Sequence, residues 1–247
     1  GDDSYEWFGG TVNVKYLVAF RGWDDDFDTD NGYTGKVQFF LSLRDPAIAD
    51  QSQSNGFESD NDADGSTLTP VTAPIFCNGT ILGTLVTSST TINSLYRNAM
   101  HIRRGSRLSV YNSVFAGWPT GLYIDGQKGD SPAQATANVL QIENCVLSGM
   151  TTNYNTTYLT DAGAWFTNAT RSNEVLATND LLQLSNPFAL TSPDFLPAAA
   201  SPLLAGGAFT NTRLTDSFFT PTAYRGAFGT TNWTSGWCNF DPQNTDY

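Results

Sequence analysis

Basic residues are scarce in this sequence, and histidine is nearly absent. The 247 residues include 12 Lys and Arg side chains against 24 Asp and Glu, with one His, which gives a formal net charge of -12. A chain of this charge repels phosphate backbones and anionic lipid surfaces. We therefore expect cations to be favoured as ligands, and we expect no binding to nucleic acid.

Cysteines and long apolar runs are also few. Three cysteines are too few and too scattered for a disulfide framework or a zinc site, so at least one thiol is expected to be unpaired. No apolar stretch approaches the roughly 20 residues that cross a bilayer, so we expect no transmembrane segment. The first residues lack the features of a signal peptide, so any export signal is expected to have been removed. The polar, weakly charged composition favours an extracellular β-rich protein.

Helical periodicity is lacking as well, and a short alternating run recurs instead. The run starts five times, and the starts lie 22, 30, 43 and 22 residues apart (5 to 27, 27 to 57, 57 to 100, 100 to 122). A fixed unit with insertions at its turns is typical of a solenoid. The pattern predicts an all-β fold, a right-handed single-stranded parallel β-helix. The starting residues should stack inside it: Tyr5, Phe27, Phe57, Met100 and Leu122.

A second run follows each first one and carries a column of asparagines. Asn78, Asn112 and Asn144 share one position in three of these runs. Because Asn tolerates left-handed backbone, we expect these residues at one corner of successive coils, with amides bonded from coil to coil. The apolar positions of the second runs predict another inward stack: Tyr16, Phe39, Thr80, Val114 and Val146.

The repeat fades after about residue 150, where Thr, Asn and Pro become frequent. We predict β-helix coils over residues 1–150, a loop-rich strap over 151–208 and a C-terminal cap over 209–247. Open strand edges invite aggregation, so a cap is expected at the end of a solenoid. Because no comparable cap precedes the first run, the coils are expected to continue from N-terminal coils of a longer protein.

Several long phrases resemble those of a known group, the right-handed parallel β-helix (pectate-lyase-like) secreted and cell-surface proteins of Bacteroidota. The phrases are residues 7–16, 25–36, 58–62, 226–229 and 233–237. Most members have no assigned function, and many are exported by type IX secretion. The resemblance therefore implies the fold and a secreted or cell-surface location, and it implies little chemistry.

Nine of the 24 acidic residues fall in two short segments, 24–30 and 58–64. Neighbouring coils lie about 4.8 Å apart, so outward carboxylates of adjacent coils would crowd together. Oxygen ligands at that spacing suit Ca²⁺, and residues 60–65 also match the start of a calcium loop that lacks its final Glu. The alternative is a solvated acidic surface. We predict Ca²⁺ on six carboxylates: Asp28, Asp30, Glu58, Asp60, Asp62 and Asp64.

Arg103 lies one predicted coil from these carboxylates. Pectate lyases with a β-helix hold Ca²⁺ on stacked carboxylates and use an Arg as the base, so the resemblance implies that role for Arg103 if the protein is a lyase. The alternative is that Arg103 only neutralises Asp60 or Asp125. Stacked carboxylates could also be the acid and base of a glycoside hydrolase. The candidates for this second chemistry are Glu6, Asp28 and Glu58.

Aromatic side chains beside the same face are candidates for stacking on sugar rings. The alternative is that they belong to the core. The predicted substrate-binding residues, including the single His, are Trp23, Tyr33, His101, Trp118 and Tyr123.

These observations predict a non-catalytic secreted or cell-surface β-helix module, stabilised by Ca²⁺, that binds a polysaccharide, a surface glycan or another cell-surface protein. One alternative is a calcium-dependent polysaccharide lyase or related glycoside hydrolase that uses the carboxylate and Arg face. Another is a purely structural filament or stalk segment.

Overall fold

The computed structural model describes residues 2–159 and 161–246, and short β-strands dominate it. The described helices, α1 (Ser131–Thr136) and α2 (Ala162–Phe166) with a few 3₁₀ turns, are too short to span a bilayer. In chain order the strands are β1 (Tyr5–Phe8), β2 (Val14–Phe20), β3 (Phe27–Asp30), β4 (Lys36–Leu43), β5 (Phe57–Ser59), β6 (Ile75–Leu82), β7 (Asn98–Ile102), β8 (Ser109–Tyr111), β9 (Val114–Ala116), β10 (Thr120–Ile124), β11 (Gln141–Glu143), β12 (Val146–Ser148), β13 (Thr152–Thr156), β14 (Glu174–Leu176), β15 (Leu184–Asn186) and β16 (Asp194–Pro197).

The chain passes repeatedly between two parallel sheets. The first sheet has the order β1-β3-β5-β7-β10-β13. In the second sheet β2, β4 and β6 pair in turn, and β6 then pairs with both β8 and β9, which lead to β11, β12 and β14. Strands β15 and β16 form a separate antiparallel pair. The prediction of a mostly β protein with parallel strands is confirmed, while the right-handed winding and the closed solenoid stay predictions.

The predicted stack inside the first sheet is confirmed in register. Tyr5 pairs with Phe27, Phe27 with Phe57, Phe57 with Met100, and Met100 with Leu122. Every member except Tyr5 is fully buried. Alternate side chains of a strand point to opposite faces, so residues two positions apart share the interior and the residue between them faces outward.

The Asn column lies at one corner, as predicted, in left-handed backbone. Its φ angles are 59°, 50° and 56° at Asn78, Asn112 and Asn144. The predicted bonding from amide to amide is wrong for Asn112, whose amide donates to the carbonyl of Ala208 (3.0 Å) and accepts from its N–H (2.9 Å). The amide of Asn78 likewise donates to the carbonyl of Gly226 (3.2 Å). The C-terminal segment, residues 208–246, therefore supplies partners for Asn78 and Asn112 of the column.

The predicted second stack is wrong, because Tyr16 and Phe39 align with Asn78 at the corner and the other three members face the opposite way. Thr80, Val114 and Val146 are in register on the outer side of the second sheet, where Val114 and Val146 pack in a cluster with Phe195 and Phe228, and Thr80 Oγ1 accepts from the Ala227 N–H (2.9 Å). The inward side chains are their neighbours, Ile81, Phe115 and Leu147. A residue in left-handed backbone at the corner changes which alternate residues face inward, and a one-position shift exchanges the two faces of a strand.

The residues predicted as a cap contact the outer side of the second sheet. Phe240 packs against Phe20 (ring centroids 5.1 Å), and the N–H of Gly226 donates to the carbonyl of Asn112 (2.7 Å). The C-terminal segment therefore reaches from the first coil to the fourth. The boundaries of the three predicted parts stay predictions.

Candidate functional site

An outward column of side chains runs down the first sheet, and we call it the outer column. Register pairing places its six residues side by side on successive strands: Glu6, Asp28, Glu58, His101, Tyr123 and Asn155. Each lies between two inward positions of its strand, which is why it faces outward. The prediction that the two distant acidic segments meet on adjacent strands is confirmed for Asp28 and Glu58.

Arg103 lies at the centre of this face and binds two carboxylates. Its Nη2 donates to Glu58 Oε2 (2.5 Å) and its Nε to Asp60 Oδ1 (2.8 Å), while Arg104 Nη1 donates to Asp60 Oδ2 (2.7 Å). Burial lowers the pKa of Arg103, but the bond to Asp60 and the charge of Glu58 outweigh burial and raise the pKa above its ordinary value. Arg103 is therefore held charged. The alternative that it neutralises Asp60 agrees with this geometry, and the role of a lyase base does not.

His101 is placed between two carboxylates. Its Nδ1 lies 3.5 Å from Glu58 Oε1 and its Nε2 lies 3.4 Å from Asp125 Oδ2. Burial lowers the pKa of His101, but the hydrogen bonds to Asp125 and Glu58 raise it more, so the pKa lies above its ordinary value. The ring stacks on Tyr123 (centroids 4.8 Å apart), whose hydroxyl bonds to Thr157 (2.8 Å). The two rings are therefore held against each other in the outer column.

Asp28 and Glu58 are neighbours with opposite pKa shifts. Burial, followed by the charges of Glu58 and other acids, raises the pKa of Asp28 to about 10. Its Oδ1 is buried and has no hydrogen-bond partner within the described residues. Burial acts in the same direction on Glu58, but the hydrogen bond from His101 and the charge of Arg103 outweigh it, so the pKa of Glu58 is lowered. At neutral pH the pair therefore consists of a protonated acid beside a carboxylate.

The carboxylates best placed for a cation lie nearer the N-terminus than predicted. Over residues 2–159 and 161–246, the groups whose oxygens lie within 4.8 Å of one another are Asp2–Asp3–Asp24 and Asp3–Glu6–Asp28. Asp3 was missed as a ligand, although it lies 22 residues before Asp25, the spacing of the first repeat. Its Oδ1 accepts from the Asp25 N–H (2.8 Å). Extending the register upstream of Tyr5 would have found it.

Only Asp28 of the six predicted ligands belongs to these groups, so the structure does not bring the six together, and their binding of Ca²⁺ stays a prediction. Glu58 and Asp60 bind Arg103 as described above. Asp30 accepts from the Asn31 N–H (2.6 Å), and Asp62 accepts from the N–H groups of Asp64 and Ser66 (3.0 Å each). Asp64 itself is exposed. The carboxylates nearest Arg103 are therefore neutralised by protein side chains.

Two of the predicted sugar-stacking residues are buried, and the prediction is wrong for them. Tyr33 and Trp118 have no exposed surface. The hydroxyl of Tyr33 donates to the Val12 carbonyl (2.9 Å), and Trp118 packs against Tyr96 (ring centroids 5.9 Å). A buried ring offers no face to a sugar. For Trp23, which is 53% exposed, and for His101 and Tyr123, the role stays a prediction.

Comparison with known proteins adds one match. Residues 1–184 match the family model described as a pectate-lyase like beta helix domain. No curated protein and no solved structure matches the chain. The matched range contains β1 to β14 and therefore the whole outer column.

Proposed function

Because the chain belongs to the pectate-lyase-like β-helix family, we propose that it is a non-catalytic module that binds glycans along the outer column. The observation that supports this proposal is the continuous row of six register-matched polar side chains. Such a row repeats polar side chains at intervals of about 4.8 Å along one face of the sheet, and an extended glycan chain could follow that face. The engagement of Arg103 by Glu58 and Asp60 argues against a lyase.

Location and winding belong to the same proposal. The module works outside the cell, at the surface or after secretion, and its coils wind as a right-handed solenoid. A neighbouring surface protein is the other ligand to test, and a filament or stalk segment is the alternative if no glycan binds.

Calcium is a further part of the proposal. The ligands would be Asp3, Glu6 and Asp28, because their oxygens lie within 4.8 Å of one another and Asp28 Oδ1 lacks a partner within the described residues. Ca²⁺ takes carboxylate oxygens and would favour the carboxylate form of Asp28, against the burial that raises its pKa. Its contribution would be structural, since it would join the strands β1 and β3.

Replacing Tyr123 with Ala tests the binding face. We expect the affinity for a bound neutral oligosaccharide to fall about tenfold, because one aromatic contact and its hydroxyl are lost. Isothermal titration with cellohexaose, xylohexaose and mannohexaose measures it. Leu68→Ala, which removes a side chain that is 71% exposed in the loop between β5 and β6, is the control and should leave affinity unchanged. Equal affinity of Tyr123→Ala and the wild type would contradict the proposal.

Hydrolysis is a second candidate, favoured by the opposite pKa shifts of Asp28 and Glu58. A protonated carboxyl beside a carboxylate is the arrangement of a glycosidase acid and its partner. If the wild-type protein releases reducing ends from these hexasaccharides, Glu58→Gln should lower the rate by about a hundredfold or more. Asp64→Asn, in an exposed loop, should not. The absence of released ends from the wild type would leave the non-catalytic module.

A further inference from the structure

A small aromatic cavity lies at the corner of the second sheet, away from the outer column. Its volume is about 210 Å³. The C-terminal segment closes it against strands β2 and β4. Its lining includes four aromatic rings and two exposed hydroxyl side chains: Tyr16, Phe39, Tyr224, Trp233, Thr230 and Thr231.

Two of these rings occupy backbone positions that suit them poorly. Tyr16 and Phe39 have φ angles of 63° and 60°, in the left-handed region that bulky residues rarely adopt. They hold the same corner position as the Asn column of the later coils, where Asn78, Asn112 and Asn144 fit this backbone readily. Strained positions of this kind cluster at ligand sites. The aromatic residues are found at the two corners that border the cavity.

The rings are fixed in place before any ligand arrives. Tyr16 stacks on Phe39 (centroids 5.2 Å) and meets the edge of Trp233 (5.3 Å). The indole N–H of Trp233 donates to the Ala227 carbonyl (2.8 Å), and its ring stacks on Phe228 (5.1 Å). Tyr16 nevertheless keeps 46% of its surface exposed. A rigid, partly exposed aromatic wall binds with little loss of side-chain entropy.

The lining chemistry defines the class of ligand. None of the side chains that line the cavity is charged, which disfavours an anionic sugar or a simple cation. Aromatic faces accept the C–H faces of sugar rings, and the hydroxyls of Thr230, Thr231 and Tyr224 can exchange hydrogen bonds with sugar hydroxyls. We propose that this cavity binds one neutral pyranose ring. The proposal rests on the proposed carbohydrate role and adds a second site to it.

Replacing Tyr16 with Asn separates binding from folding. Asn suits the left-handed corner, so the melting temperature should stay the same or rise, while affinity for a methyl glycoside should fall about tenfold or more. The probes are the methyl β-glycosides of glucose, galactose and mannose, followed by saturation-transfer NMR. Tyr158→Asn is the matched control, because Tyr158 is also left-handed (φ 68°) and 82% exposed but does not line the cavity. It should bind like the wild type.

A second variant covers the case in which Tyr16→Asn folds poorly. Thr230→Ala combined with Thr231→Ala removes the hydroxyl and methyl groups of two exposed residues and should also weaken binding. The proposal is overturned if no methyl glycoside receives saturation from the wild type or if both cavity variants bind like the wild type. It is also overturned if choline, a quaternary ammonium ion of the kind that aromatic cages bind, is the only probe that binds. The cavity variants are tested with methyl glycosides, and the outer-column variant Tyr123→Ala is tested with hexasaccharides. Failure of the outer column and failure of the cavity are therefore seen separately.

Discussion

Replacing Asp28 with Asn is expected to raise the free energy of unfolding at pH 8 by about 2 kcal/mol and to flatten its dependence on pH. Burial and the neighbouring acids raise the pKa of Asp28 to about 10 in the folded protein. The unfolded chain releases this proton near its ordinary pKa of about 4. The folded state therefore holds more protons between pH 4 and 10, so stability falls as pH rises through this window. Asn carries no charge and removes this loss.

Urea unfolding between pH 5 and 9 measures this effect. Asp64→Asn, which changes an exposed carboxyl, is the control and should follow the wild-type curve.

Bound Ca²⁺ would reverse the effect of Asp28→Asn on the free energy of unfolding, because a cation favours the carboxylate form of Asp28. With Ca²⁺ we therefore expect the wild type, and not Asp28→Asn, to gain stability at pH 8. A chelator that leaves the wild-type melting temperature unchanged would remove calcium from the proposal, and parallel pH curves for both proteins would contradict the shift of Asp28.

Replacing Arg103 with Met should lower the free energy of unfolding by about 3 kcal/mol. The side chains of Glu58 and Asp60 are only 17% and 5% exposed, and both lose their shared partner. Removing one member of a buried ion pair leaves the other charge without compensation. Arg104 keeps one bond to Asp60 (2.7 Å), while Glu58 keeps only the longer contact with His101 (3.5 Å), so Glu58 bears most of the loss. Met retains much of the packing of the Arg stem.

A half-exposed ion pair provides the comparison. Arg21 bonds to Asp45 (2.7 Å) with side chains that are 44% and 10% exposed, so a single carboxylate loses a half-exposed partner and Arg21→Met should cost about 1 kcal/mol, less than Arg103→Met. Adding Glu58→Gln to Arg103→Met should recover part of the lost stability, since the uncompensated charge is then absent. Urea unfolding at pH 7 gives the free energies of unfolding of the wild type and of the three variants. If Arg103→Met lowers the free energy of unfolding no more than Arg21→Met does, the ion pairs of Arg103 are solvated and the prediction is wrong.

The sequence predicts one sheet of this fold well and the other poorly, for a physical reason. In the first sheet, strict alternation around Phe27 and Phe57 fixes which residues face outward, and this placed Asp28 beside Glu58 correctly. In the second sheet, a left-handed residue interrupts the alternation at each corner, and the pattern around Thr80 was assigned to the wrong face. Periodicity alone does not reveal where backbone handedness changes.

The details of the site depend on side-chain partners that periodicity does not define. The nearness of Arg103 to the acidic segments could be predicted, but its choice of Glu58 and Asp60 depends on side-chain reach between adjacent coils. The burial of Tyr33 and Trp118 depends on how turns fold back over the core. Aromatic residues in turns carry no alternation signal, so their faces could not be assigned.

The C-terminal segment changes how this repeat protein can come apart. In most repeat proteins each unit contacts only its neighbours, so the end units fray first. Here Lys15 bonds to Thr220 (2.8 Å) and Lys36 to Asp216 (2.7 Å), joining the first two coils to residues about 200 positions away in the chain. Those coils cannot separate from the rest of the fold unless these bonds to the C-terminal segment break as well. The C-terminal segment therefore ties the first two coils to a distant part of the chain, and we expect these coils to unfold together with it.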